Sequence, residues 1–381
     1  MKLAIVRQKY TPFGGAERIV ERALDALRRR GVDVTVIARS WPNDTAYPGL
    51  RCAPFYLGRS WRDLGFARCV QQTIASGGFD LVQSHERIPG CHLYRAGDGV
   101  HAAWLACRAE SLGPLGRLAD RLTPYHRLVL AQERAMFAHP ALRRVICNSR
   151  MVADELREHY GLPEGKLAVI YNGVDTARFH PRLAIEHRTA LRAELGIADE
   201  QPLLLFVGNG FARKGVPALL AAAARMRRTD ARIVVAGEDR RRAALTREAE
   251  ALGLDRRVQF LGARRDVERL YGAADAFVLP SVYDPCPNAA LEALACGLPT
   301  LVGTRSGARE WIADGANGYV VAPGDTAALA ARLDDLCALG PAARQAARAA
   351  VEHLTLDAMS ARLLALYDAL LAGDAPVGRR A

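Results

Sequence analysis

The sequence reads as an α/β protein made of two doubly wound parallel-sheet domains. The chain has 381 residues, more than one ordinary hydrophobic core organises. Short apolar runs alternate with helix-period segments from end to end, the rhythm of parallel strands joined by crossover helices. That rhythm starts twice, each time with a buried strand, a glycine loop and a helix.

In the first half the opening strand covers residues 2–6 and leads to Gly14 and Gly15. A helical pattern follows over 16–30, is ended by Gly31, and gives way to a strand over 32–38. Further strands are expected at 81–83, 144–147 and 168–171. The rhythm breaks over 174–200, where Asp175, Pro181 and a charged run mark the switch between halves. The second half sets out from a strand at 203–207, then Gly208, a polar loop and a helix over 217–228. Strands at 233–236, 258–261, 276–279, 300–302 and 319–321 continue the series. A last amphipathic helix near 357–371 is expected to pack back on the first domain. Two such domains would face each other across a cleft at the carboxyl ends of their strands, where doubly wound folds bind ligands.

With half of its residues hydrophobic and 24% charged, the chain has globular rather than disordered composition. No apolar run is long enough to span a bilayer, and the first residues enter a strand pattern without the apolar core of a signal peptide. Eight cysteines stand without a CxxC pair or ligand-like spacing. They predict neither a disulfide framework nor a zinc site, and a reducing cytosol is the simpler compartment. Residues 1–180 hold 26 Lys/Arg against 17 Asp/Glu, so most of the net charge of +11 lies in the first half. An anionic surface or substrate there is one reading, and arginines that merely solvate helix faces are the other. No nucleic-acid signature or aromatic stacking platform accompanies the charge.

The chemistry concentrates after two strands. Asn209-Gly210-Phe211-Ala212-Arg213-Lys214-Gly215 follows the strand at 203–207. Glycines admit a ligand to the backbone, and adjacent cations suit a diphosphate, although the Gly-Lys-Ser/Thr of a Walker loop is absent. After 276–279 comes Pro280-Ser281-Val282-Tyr283-Asp284-Pro285-Cys286-Pro287-Asn288-Ala289-Ala290-Leu291-Glu292-Ala293. Its carboxylates, Asp284 in the loop and Glu292 early in the next helix, can each accept two hydroxyl bonds from vicinal diols. On spacing alone, a turn aspartate and a helix-start glutamate remain the plainer reading.

These motifs in this order, followed by Cys296-Gly297-Leu298-Pro299, resemble the family 4 retaining glycosyltransferases. Gly14-Gly15-Ala16-Glu17-Arg18 and Tyr171-Asn172-Gly173-Val174-Asp175 fall where that family has its Gly-Gly loop and hinge. The resemblance spans nearly the whole chain and implies the GT-B fold, two Rossmann-like domains facing a central cleft. It divides the chain into an acceptor domain over 1–176, a nucleotide-sugar domain over 177–356 and a helix over 357–381 crossing back to the first. Lys9-Tyr10-Thr11-Pro12-Phe13-Gly14-Gly15 and Arg95-Ala96-Gly97-Asp98-Gly99-Val100-His101 look like the lipopolysaccharide core heptose glucosyltransferases. Those enzymes transfer glucose from UDP-glucose to an inner-core heptose on the cytoplasmic face of the inner membrane.

Carried over by position, Arg213 and Lys214 would hold the diphosphate, Glu292 the ribose hydroxyls and Asp284 the transferred sugar. Gly14, Gly15, Asn209, Gly210, Asn288 and Ala289 would complete the donor site. Asp98 would lie near the reacting carbon or acceptor, with His101 a second candidate to orient the acceptor hydroxyl. The family usually has Glu at the position of Asp284 and a Gly-containing loop after it. Asp284-Pro285-Cys286-Pro287 offers a shorter carboxylate and two residues without N–H donors, which leaves GDP-mannose and UDP-N-acetylglucosamine open as donors. The cations would stabilise the departing diphosphate, so no metal or other cofactor is expected. The chain has no Asp-x-Asp triplet, which agrees.

Between His101 and Arg134, apolar residues including Trp104, Leu115, Leu118 and Leu122 interleave with Arg108, Arg117, Arg121 and Arg127. That pattern suits a helix lying in an anionic membrane interface, as well as one packed on the domain. The expected partners are thus a UDP-sugar, a lipid-linked or glycan acceptor and a membrane surface, with no nucleic acid. Outside the class, a sugar-nucleotide epimerase or a non-catalytic nucleotide-binding protein would use the same fold.

Overall fold

The computed structural model describes residues 1–8, 28–29, 31–40, 49–110 and 112–373. It divides into two compact units, one of residues 1–173 completed by the chain from Leu356, the other Val174–Thr355.

Unit 1 holds a parallel sheet of β1 (Lys2–Val6), β2 (Asp33–Ala38), β3 (Gly49–Arg51), β4 (Leu81–Ser84), β5 (Leu93–Arg95), β6 (Arg144–Cys147) and β7 (Leu167–Val169). Its strand order is β3-β2-β1-β4-β5-β6-β7, so the direction of winding reverses between β1 and β4. The register pairs Leu3 with Val34 on one side and with Leu81 on the other. Strands β3 and β5 lie outside the apolar rhythm of the sequence. Each has only three residues, too few to carry a periodicity, and β3 is exposed along its length.

The final helix, Leu356–Ala372, completes this unit. Leu356, Met359, Leu363, Leu364, Tyr367 and Leu370 share one core with Leu3, Ile5, Val34, Val36 and Ile146. Tyr367 Oη donates to Gln83 Oε1 at 2.6 Å. A fully buried Leu contributes about 1.5–3 kcal/mol. The helix therefore supplies a sum comparable to the whole stability of a domain.

Two expectations need correction in unit 1. Cys52 and Cys69 form a disulfide, with Cα atoms 5.7 Å apart. The helix Gly58–Gly77 carries Cys69 back over the residue that follows β3, a proximity made by tertiary packing rather than by sequence spacing. The segment 101–134 is three helices, His101–Glu110, Pro114–Leu122 and Pro124–Ala138, rather than one. Pro114 and Pro124 occupy helix starts, where a missing N–H costs nothing. Leu115, Leu118 and Leu122 point outward on the middle helix, Leu115 at 84% exposure.

Unit 2 repeats the plan with β8 (Leu203–Val207), β9 (Arg232–Ala236), β10 (Val258–Gly262), β11 (Ala276–Leu279), β12 (Thr300–Gly303) and β13 (Gly318–Val321). The order is β10-β9-β8-β11-β12-β13, all parallel, with the reversal between β8 and β11. The stretch expected as a break in rhythm carries a helix, Leu183–Glu194. Leu191 and Arg192 anchor it, and the buried Arg192 guanidinium binds Asp275 Oδ2 at 3.2 Å and several carbonyl oxygens. Among the described residues no helix is long and apolar enough to cross a membrane.

Candidate active site

In a doubly wound sheet the two loops flanking the reversal point diverge and leave room for a ligand. In unit 2 those loops follow β8 and β11. The first turns through Gly210 (φ 75°) into a short helix, Phe211–Lys214, and turns again at Gly215 (φ 86°) into the helix Val216–Ala223. A Cβ on Gly215 would sit 1.9 Å from the carbonyl oxygen of Pro280, so only glycine lets the two loops meet. Val282 N–H donates to Arg213 O at 2.9 Å and ties them together.

This contact brings Arg213, Lys214 and Asp284 into one group, although 70 positions separate the lysine from the aspartate. Lys214 Nζ donates to Asp284 Oδ2. Arg213 Nη1 donates to Tyr283 O at 3.0 Å and lies 3.6 Å from the same carboxylate. Asp284 is fixed through its own backbone: its N–H reaches Arg305 O and its carbonyl accepts Gly307 N–H, each at 2.9 Å. The carboxylate is buried, the ammonium nearly so, and the Arg213 side chain stays 41% exposed. Thus the lysine neutralises the carboxylate inside while the guanidinium leaves a positive charge at the surface. Such an array can receive a diphosphate. Asn209 Oδ1 accepts Glu238 N–H at 2.7 Å and links the β8 loop to the one after β9.

Glu292 stands in a second group. Helix Asn288–Ala295 begins with Asn288 and Ala289 and carries Glu292 beside Tyr271, whose hydroxyl lies 3.0 Å from Glu292 Oε2 and 3.1 Å from Ala289 O. Burial raises the Glu292 carboxyl to about 7, and Asp175 and Glu268 push the same way against the Tyr271 bond and Arg178. Among the described residues no hydrogen bond or ion pair joins Glu292 to Arg213 or Lys214.

In unit 1 the reversal lies between β1 and β4. Gln8 N–H, just past β1, donates to Glu86 Oε1 at 2.9 Å. Ser84 Oγ accepts Glu86 N–H at 3.0 Å and donates to its carbonyl at 2.7 Å, shaping the turn after β4. Burial lifts the Glu86 carboxyl to about 7, with Asp98 adding to the rise and Gln8 N–H, Arg7 and Arg87 opposing it. Asp98 itself is exposed in the loop after β5.

That loop is held from two directions. Asn148 Nδ2 donates to Gly97 O at 3.2 Å, and Arg87 Nη2 to Gly99 O at 3.1 Å. Arg87 is fixed in turn by Glu133, which has no exposed surface and accepts three bonds: Arg87 Nε at 2.7 Å, His101 N–H at 2.8 Å and Tyr160 Oη at 2.5 Å. The His101 ring faces His126 Nδ1 at 3.2 Å and packs against Trp104. Burial, then Arg87, lowers its pKa to about 4, so it is neutral at pH 7 and committed to this cluster. Gly14 and Gly15 lie outside the described residues.

The chain matches two family models, Glycosyltransferase Family 4 over residues 13–178 and Glycosyl transferases group 1 over 187–353. It is 30% identical to a D-inositol 3-phosphate glycosyltransferase of Xylanimonas cellulosilytica, across 93% of this chain and 91% of that one. The chain belongs to the family 4 glycosyltransferases. This glycosyltransferase is also 29% identical to the lipopolysaccharide glucosyltransferase WaaG of Escherichia coli K12, over 84% of its own length and 85% of the relative's. The crystal structure of a WaaG involved in lipopolysaccharide biosynthesis superposes with a TM-score of 0.79, covering 95% of this chain and 98% of that one at 28% identity. That match establishes the GT-B fold. Anabaena HepE, solved with UDP-glucose, shares the fold at 20% identity with a TM-score of 0.71, over 97% of this chain and 100% of its own.

For this glycosyltransferase, sequence reasoning passed over Glu86, Arg87, Asn148, Glu133 and Tyr271. The first three left a usable signal: each polar residue follows within three positions of a buried strand's carboxyl end. Glu133 and Tyr271 left none, because both act from helices through contacts remote in sequence.

Proposed function

We propose that this glycosyltransferase moves a hexose, glucose from UDP-glucose, onto a heptose of lipopolysaccharide core with retention of anomeric configuration. The single observation that carries the reading is the group of Arg213, Lys214 and Asp284 at the reversal of the unit 2 sheet. Breaking the anomeric C–O bond leaves negative charge on the diphosphate and positive character on the sugar ring. Arg213 and Lys214 stabilise the leaving group, a contribution worth about 2.7–4 kcal/mol for one well-placed donor. Asp284 contacts the transferred sugar and Glu292 the ribose hydroxyls. Gly14, Gly15, Asn209, Gly210, Asn288 and Ala289 shape the donor site, and Asp98 faces the acceptor. The cations do the work that metal-dependent transferases assign to a bound ion.

The glucose and the lipopolysaccharide follow the names of the relatives, WaaG being a lipopolysaccharide glucosyltransferase and HepE solved with UDP-glucose, and the heptose follows the sequence resemblance. A lipid-anchored acceptor also suits the outward Leu115, Leu118 and Leu122 beside Arg117 and Arg121, a surface able to lie against anionic lipid at the cytoplasmic face of the inner membrane. A different acceptor is favoured by the D-inositol 3-phosphate glycosyltransferase relatives, and a different donor by the shorter Asp284.

A thermal-shift panel of UDP-, GDP- and ADP-sugars, followed by transfer to core truncated at heptose, tests the reading. UDP-glucose should stabilise the protein most and glucosylate the core. Selection of GDP-mannose overturns the donor, and conversion of a UDP-sugar to its epimer without acceptor overturns the transfer.

A further inference from the structure

We propose that Glu86 is a hydroxyl-binding residue for the acceptor sugar and, with Asp98, decides which polyol this enzyme accepts. This rests on the reading of unit 1 as the acceptor domain. In the order β1-β4-β5-β6 all strands run parallel, so Gln8, Glu86, Asp98 and Asn148 emerge at one edge of the sheet. Glu86 stands at the reversal point, where such sheets bind ligands. Its Oε1 is occupied by Gln8 N–H, whereas Oε2 has no hydrogen-bond partner among the described residues. Among the described residues no cation is bonded to it: the neighbouring Arg87 is drawn away to Glu133 and Gly99.

Two acidic side chains near enough for Asp98 to raise the Glu86 carboxyl, neither bonded to a cation among the described residues, are poor hosts for a phosphate and good ones for a diol. Among the described residues, the charged and titratable groups around Glu86 are Arg7 past β1, Arg87 beside it, Asp98 past β5 and Tyr94 on β5. Asn148 and Arg87 are positioning residues, because they grip Gly97 and Gly99 on either side of Asp98.

The experiment uses the full chain with UDP-glucose and, in turn, heptose-terminated core, the methyl glycosides of heptose and mannose, and free inositol. Both transfer and acceptor-free release of UDP are measured. Glu86→Gln keeps an oxygen for Gln8 N–H, so a purely structural role predicts no effect. The proposal expects the ratio of transfer to acceptor-free release to fall about 10- to 100-fold, with the change in acceptor KM rather than donor KM. Wild-type acceptor KM should fall as pH rises through about 7, where Glu86 ionises and accepts hydroxyl bonds more strongly. The variant should lack that step.

Asp98→Asn, at an exposed position, should shift preference among the acceptors and checks the pair without disturbing the fold. A wild-type acceptor KM and pH profile in Glu86→Gln overturns the proposal. So does UDP release that no polyol accelerates, an outcome that leaves the donor reading standing. If UDP-glucose is not turned over at all, the donor reading fails first and this inference falls with it.

Discussion

The two sheet reversals are built alike and charged differently. Past β8 and β11, Lys214 lies against the buried Asp284 and Arg213 is left to face solvent. Past β4 and β5 the order is inverted: Arg87 is held by Glu133, and among the described residues Glu86 and Asp98 stay without a bonded cation. Identical winding therefore fixes where polar side chains gather but not their sign, which the loop residues beyond each strand decide. The cationic reversal suits a diphosphate, and the acidic one suits hydroxyls. The acidic one has its own cost, a carboxyl raised to about 7, which the second group of unit 2 shares at Glu292.

Four experiments break or sharpen that contrast. Lys214→Ala should lower kcat/KM for UDP-glucose about 100- to 1000-fold, with initial rates as the measure. Retained activity would remove the cationic role. Glu133→Ala should cost about 3 kcal/mol in urea unfolding, because Arg87 loses its partner in a buried site. A change below 1 kcal/mol would mean that the hub is idle.

The carboxyl at position 86 is tested by pH. Its folded pKa is raised, so the protonated form favours folding. Stability is full below about pH 4.5 and declines as pH rises towards 7. Glu86→Gln should abolish a loss on the order of 1–2 kcal/mol for this half-buried group. An unchanged pH-stability curve would contradict the assignment. The smallest effect is expected for Tyr367→Phe, about 1 kcal/mol from one buried hydrogen bond to Gln83, read as a shift in Tm. No shift would show that water replaces the hydroxyl.

Unit 2 was the more legible half. Each of its six strands is a run of four or five residues with an apolar core, and each lies where the apolar rhythm puts it. Arg213, Lys214 and Asp284 could be named because each follows a recognisable strand. Unit 1 resisted at β3 and β5, which are shorter than any periodic signal. It resisted again at the Arg87–Glu133–Tyr160 hub, whose members are spaced without motif. Cys52 and Cys69 look unrelated until a helix folds one over the other. In the segment 101–134 the apolar pattern runs on through Pro114 and Pro124, each of which starts a new helix.

The closing helix has a consequence for synthesis on the ribosome. Residues 1–173 leave the exit tunnel ahead of unit 2, yet their core lacks Leu363, Leu364 and Tyr367 until the helix from Leu356 is translated. The middle of the polypeptide, Val174–Thr355, has all of its own strands by then and can finish folding earlier. The half made first is completed last, and a premature stop shortly before Leu356 would leave a sound C-terminal unit attached to an open, aggregation-prone sheet.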